Sequence, residues 1–155
     1  MSAPKPPALV FAFEARIEVG APVELGKVPR GDRRIIPITG GTFEGPGLKG
    51  KVLAQGADWQ IVRADGTAEI DARYTLQTDQ GAFIYIDNQG MRHGPPEVMA
   101  RLRAGEPVAP SEYYFRTSPR FEVSAPELQW LTKAIFVCDA ERLGSAVIVR
   151  FWRLE

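Results

Sequence analysis

The stretch that decides the fold is Ala68-Glu69-Ile70-Asp71-Ala72-Arg73-Tyr74-Thr75-Leu76-Gln77-Thr78. Ala68, Ile70, Ala72, Tyr74 and Leu76 alternate with Glu69, Asp71, Arg73, Thr75 and Gln77, and a period of two is the mark of a strand with one buried face. Asp65-Gly66 before it and Asp79-Gln80-Gly81 after it are turn sequences, and the Asp-Gly pair predicts a type I′ hairpin. Trp59 to Arg63 and Ala82 to Asp87 then read as the flanking strands, with Asn88-Gln89-Gly90 as the next turn. Outward from this meander, Leu9 to Val19 alternates in the same way. Pro22, Gly26, Pro29 and Gly31 predict a loop. Pro37 places the extended run Arg34 to Ile38 at an edge or a bulge.

Pro96 to Ala104 reads as a helix, with Pro in its first turn, Gly105 after its end, and Val98, Met99 and Leu102 on one face. Tyr113 to Thr117 and Arg120 to Val123 are strand segments divided by Pro119. Ser124-Ala125-Pro126-Glu127 has the form of a capping box. Thr132 to Cys138 and Ser145 to Arg153 form a closing hairpin. The pattern is all-β and mainly antiparallel, with about 8–10 short strands and one short helix. Such meanders close into a barrel or a sandwich.

The chain has 155 residues, with 19 Lys plus Arg against 19 Asp plus Glu. That size fits one domain, expected over residues 9–155 behind a disordered lead of residues 1–8. Zero net charge gives no electrostatic footprint for nucleic acid or for an anionic membrane surface. The 15 Gly and 13 Pro fit a turn-rich protein. Cys138 is the single cysteine, so no internal disulfide can form, and its apolar neighbours mark it as a small buried hydrophobe. The first residues lack the pattern of a signal peptide, and no apolar run reaches spanning length, so the expected location is cytoplasmic.

Several blocks resemble one family. They are Arg33-Arg34-Ile35-Ile36-Pro37-Ile38-Thr39-Gly40-Gly41-Thr42-Phe43-Glu44-Gly45-Pro46, Gly56-Ala57-Asp58-Trp59-Gln60, Asp71-Ala72-Arg73-Tyr74, Tyr114-Phe115-Arg116 and Pro119-Arg120-Phe121-Glu122. Their order and their spread from about Phe11 to Val149 are similar to the DUF3237 family, also called UPF0311. One departure is Leu53-Ala54-Gln55, where that family often has a Pro-Gly pair. The resemblance implies a closed antiparallel β-barrel, here expected to be of the up-and-down type. It implies no activity.

Function must then be argued from residues. The glycine-rich block lacks both nucleotide-binding fingerprints, so it reads as a bent strand at a barrel corner. Asp71 and Arg73 share one strand face. They either meet water, as on any half-buried sheet, or line the lumen as an acid/base group and its oxyanion partner. Glu122 is the other candidate acid/base. Trp59, Tyr85, Tyr114, Arg116 and Trp130 are candidate ligand-binding groups, because aromatic walls with a few convergent polar groups describe a small-molecule pocket. The alternative is that these aromatics are core.

His93 is the only histidine, which argues against zinc and against a serine triad. No cofactor and no metal are expected. The closing hairpin is apolar on both faces, so its outer face calls for cover by the helix or by a second copy of the chain. The leading expectation is a barrel that binds a small polar or aromatic metabolite. The alternatives are a cofactor-independent isomerase, lyase or cyclase, and a structural oligomerisation module.

Overall fold

The computed structural model describes residues 2–155. Its strands are β1 (Leu9–Val19), β2 (Val23–Val28), β3 (Gly31–Gly45), β4 (Leu48–Val52), β5 (Ala57–Val62), β6 (Ala68–Thr78), β7 (Phe83–His93), β8 (Tyr114–Glu122), β9 (Ile135–Arg142) and β10 (Ala146–Leu154). One α-helix, α1 (Pro96–Arg103), follows β7, and 3-10 turns cover Pro110–Glu112 and Pro126–Thr132.

Every strand pair is antiparallel. β1 pairs with β10 on one side and with β3 on the other, which closes the sheet. The second half of β3 pairs with β4 and its first half with β5, and both of these pair with β6. β4 and β5 therefore share one position, and the closed barrel has 8 strands. β2 hangs on the free edge of β3 and is exposed throughout.

The glycine-rich block is the corner of β3. Gly41 has φ +134, and a Cβ there would sit 1.9 Å from the Arg16 carbonyl oxygen of β1. Only glycine lets the two backbones approach so closely while β3 turns from one partner to the next.

Four local expectations are corrected. The β5–β6 turn is not type I′, because Asp65 does not take a positive φ. Gly66 alone does, its N–H donates to the Arg63 carbonyl, and the Arg63 N–H donates to the Thr67 carbonyl. This is the longer hairpin in which glycine supplies the one left-handed residue. Asn88-Gln89-Gly90 is not a turn: β7 runs through it, and Asn88 is buried and paired with Pro119. Pro119 does not divide its strand either, since β8 is continuous from Tyr114 to Glu122. Finally, Ser124 caps nothing. Ala125 takes the cap position with no side-chain bond, and the Gln129 amide donates back to the Val123 and Ala125 carbonyls.

The helix forms as its sequence predicts, with Gly105 at φ +76 beyond Ala104. It spans one end of the barrel, resting on Val98, Met99 and Leu102. The opposite end is filled by aromatic side chains. Phe13 stacks on Phe151 with ring centroids 4.1 Å apart, Phe43 and Phe121 meet Phe13, and Phe136 meets Phe121 edge-on. Leu128 and Leu131 of the second 3-10 turn close that floor.

Candidate functional site

Strand parity decides which side chains enter the lumen. On β7 the inward row is Ile84, Ile86, Asn88 and then Arg92. On β9 it is Phe136, Cys138 and Ala140, reaching Arg142 at the strand's end. On β3, Ile38 and Ile36 lead to Arg34, and on β5 the row supplies Asp58 and Gln60. The rows of β3, β7 and β9 are apolar toward the floor and polar under α1, and β5 adds Asp58 and Gln60 before Val62.

Two connected spaces result. A cavity of about 50 Å³ lies in the lumen among Ile70, Tyr74, Asn88, Thr117 and Val149, with Asp58, Gln60, Arg92 and Arg142 on its upper wall. Above it, a pocket of about 240 Å³ opens between the strand ends and α1, walled by Val62, Met99 and Leu102 and sharing Arg92 and Arg142, with Arg34 at its side.

The polar groups here form an ordered chain. Arg34 donates from Nε to Glu24 and from Nη1 to Gln60 Oε1, both at 3.0 Å. Gln60, with no solvent exposure, passes its amide N–H to Asp58 Oδ2 at 3.0 Å. Asp58 Oδ1 accepts the Asp71 backbone N–H at 2.9 Å. Burial raises the Asp58 carboxyl above the ordinary carboxylate value, and those two donors offset only part of the rise.

Arg92 is 8% exposed and lies over the Phe115 ring, 5.3 Å from its centroid. Its Nε is buried without a partner. Burial, reinforced by the charge of Arg142, pulls its guanidinium down to about 10. Arg142 donates from Nε to the adjacent Leu143 carbonyl, and its own backbone N–H donates to the Tyr113 hydroxyl. Deeper in, Asn88 Oδ1 and Thr117 Oγ1 lack a nitrogen or oxygen partner. Beside them lies the thiol of Cys138, which burial pushes up to about 12 and so keeps protonated and a weak donor.

The residues singled out from sequence fall elsewhere. Asp71 and Arg73 face outward from β6 instead of into the lumen, with side chains 36% and 50% exposed and an Oδ2 to Nη2 distance of 3.5 Å. Parity requires this, because the apolar face of β6 is the one that packs inside. Asp71 and Trp59 border an outer groove of about 410 Å³. Arg73 lies over the Trp59 ring, 5.8 Å from its centroid. Tyr114 and Arg116, outward on β8, border another of about 690 Å³, where β8 and β9 diverge after two paired positions. Tyr85 and Glu122 pair across β7 and β8 and also face outward. Trp130 packs against Phe136 near the floor.

The outer groove at Tyr114 is the largest hollow, but it is open to solvent. The mouth is smaller and more enclosed, and it gathers buried polar atoms without a hydrogen-bond partner from Asn88, Arg92 and Thr117. The outer groove at Trp59 has Asp71 Oδ1 alone, which is why the mouth fits a ligand site better. Sequence reading missed Asp58, Gln60, Arg92 and Arg142. The signal that would have found three of them is a polar residue at an inward parity: Gln60 in phase with Asp58, Arg92 in phase with Ile84 and Ile86, and Arg142 in phase with Phe136 and Ala140.

The outer face of the closing hairpin is less bare than its sequence implies. Arg150 spans it, ion-paired to Glu14, Asp139 and Glu141, and the Trp152 indole donates to Asp139 at 2.7 Å. Ile135 remains 65% exposed.

Fold and site together define a small closed β-barrel with an aromatic floor and an arginine-lined mouth. Residues 7–154 match the family model described as "Protein of unknown function (DUF3237)", and the chain belongs to that family. A UPF0311 protein of Rhodopseudomonas palustris is 46% identical over 140 residues, covering 90% of each chain. The crystal structure of a conserved protein of unknown function from that organism superposes with TM-score 0.96, at 40% identity over 99% of this chain and all of the other. A β-barrel-like protein of Acinetobacter baumannii superposes with TM-score 0.85, at 46% identity over both full chains. A hydroalkoxylation enzyme of Penicillium herquei is 34% identical over 85 residues, 55% of this chain and 56% of its own. No helix among the described residues is long and apolar enough to cross a membrane.

Proposed function

We propose that the protein binds a small polar metabolite in the barrel mouth, with one end of the ligand reaching into the lumen. The observation that carries this is the set of buried, unpartnered polar atoms around the cavity: Asn88 Oδ1, Thr117 Oγ1 and Arg92 Nε. A buried polar atom left unpaired costs about 1–3 kcal/mol. A ligand that supplies the missing partners recovers that cost. The space under α1 suits a molecule of a few to about a dozen heavy atoms. Ala140→Leu puts extra bulk into the lumen from a buried position. In a thermal-shift screen of small metabolites, stabilisation of the wild type that disappears in Ala140→Leu and survives in outward-facing Arg73→Ala supports the reading. Stabilisation lost in Arg73→Ala and kept in Ala140→Leu moves the site to the outer face.

A second reading is acid–base turnover without a cofactor, and Asp58 favours it. A buried carboxyl whose pKa is raised by burial can give a proton to a carbon and take one back from an oxygen. The Penicillium relative is named for hydroalkoxylation, the addition of an O–H across a carbon–carbon multiple bond, which needs that pair of transfers. An alkenyl phenol would gain the Asp58 proton at carbon, form a C–O bond, and return the phenolic proton to Asp58. Turnover of such a phenol by the wild type, abolished by Asp58→Asn while binding persists, supports this; turnover unchanged in the variant removes it.

A further inference from the structure

The mouth holds more positive charge than the protein balances. Arg34 is spoken for by Glu24 and Gln60. Arg92 makes no hydrogen bond and no ion pair among the described residues, and Arg142 bonds only the carbonyl beside it. Asp58 is the one carboxylate bordering the cavity, and its two oxygens already accept from Asp71 and Gln60. The chain as a whole is neutral, so this excess is local. The Asp58 charge acts on both Arg92 and Arg142 but is single, and a buried guanidinium that is only partly balanced is costly; it persists in proteins where something outside the fold repays it.

We infer that the ligand carries one ionised acidic group, a carboxylate or phenolate, and that Arg92 and Arg142 receive it. This rests on the mouth being a ligand site. Arg92 lies over the Phe115 ring, 5.3 Å from its centroid, and its planar guanidinium is suited to a bidentate contact with an oxyanion. The remaining walls are mixed: Val62, Met99 and Leu102 above and Ile17, Val19 and Val147 below are apolar, while Arg103 stands at the rim and Asn88 and Thr117 lie deeper in. The matching ligand is therefore a partly apolar body with a single acidic head.

Calorimetric titration with benzoate and with its neutral isostere benzamide tests the inference. Benzoate should bind about tenfold or more tightly than benzamide, the scale of one charge-assisted hydrogen bond. Arg92→Met and Arg142→Met should each lose that preference, whereas Arg73→Ala should keep it. A second readout separates a ligand-binding arginine from a structural one. Ligand-free Arg92→Met should melt at a higher temperature than the wild type, because it removes a buried charge that Asp58 only partly balances; a lower melting temperature overturns the inference. Equal binding of benzoate and benzamide, both lost in Ala140→Leu, overturns the anionic head and leaves the ligand site standing. No binding of either probe up to its solubility overturns both.

Discussion

At the floor of the barrel, Phe13, Phe43, Phe121, Phe136 and Phe151 meet at ring distances between 4.1 and 6.1 Å and leave nothing unpaired. At the mouth β3 and β9 carry Arg34 and Arg142, β7 carries Arg92, and β5 carries Asp58 and Gln60, around open space. The floor uses dispersion and apolar burial, which are non-directional and self-sufficient. The mouth uses charges and hydrogen-bonding groups, which stabilise only when complemented. Stability and binding thus occupy opposite ends of the barrel, with β3 and β9 contributing to both, and substitutions at the two ends should have opposite signs.

The largest effect belongs to the floor. Phe151 is fully buried and in contact with Phe13 and Phe121. Phe151→Ala should lose about 3–5 kcal/mol in urea unfolding. A loss near 1 kcal/mol would mean that the floor is plastic and that the barrel is held by its hydrogen-bonded closure instead. The sign should reverse at Arg92, the mouth position already singled out, where replacement by Met should gain on the order of 1 kcal/mol in the ligand-free protein.

A subtler effect separates the ends by pH. Asp58 is held above its ordinary value of 3.8, mainly because burial strips water from its charged form. Below that value the carboxyl is protonated in both folded and unfolded chains, and folding carries no ionisation penalty. As pH rises, the unfolded chain ionises first, so the folded state loses relative stability until pH passes the folded value, beyond which the penalty is constant. Asp58→Asn cannot ionise. The stability difference between variant and wild type should therefore move in the variant's favour as pH rises above the ordinary value of 3.8. A difference that is flat across that rise would show that Asp58 ionises freely, and with it the proton-transfer reading would fall.

The contrast between the ends also explains what the sequence makes legible. The floor and the strands are written in runs of like character: Phe13, Ala15 and Ile17 alternate with Glu14, Arg16 and Glu18, and Ala68 to Leu76 keeps one parity apolar. The helix is legible from Pro96 and Gly105, whose backbone restrictions are local. The mouth is not legible in this way, because its residues come one from each of several strands and break the pattern they belong to. Arg92 looks like a surface residue beyond a turn once Asn88-Gln89-Gly90 is read as that turn. In the sheet, Asn88 is simply the next inward position after Ile86. Asp71 and Arg73 illustrate the converse error: their spacing is genuine, but opposite charges two apart describe the solvent face of a strand as well as a lumen.

The smallest expected effect is at that solvent face. Arg73 approaches Asp71 Oδ2 at 3.5 Å, yet its side chain is half exposed, so water screens the pair although Asp71 Oδ1 is itself buried. Exposed pairs of this geometry contribute about 0–1 kcal/mol, and the contact of Arg73 with the Trp59 ring, 5.8 Å from its centroid, adds little in water. Arg73→Ala should change unfolding free energy by less than about 1 kcal/mol and leave benzoate affinity within twofold. Because Arg73 lies one residue out of phase with Ala72 and Tyr74 on the same strand, the comparison isolates orientation from position. A large loss of affinity in Arg73→Ala would mean that the site lies on the outer wall, in the groove bordered by Trp59 and Asp71, and that the unpaired charge at the mouth has another use.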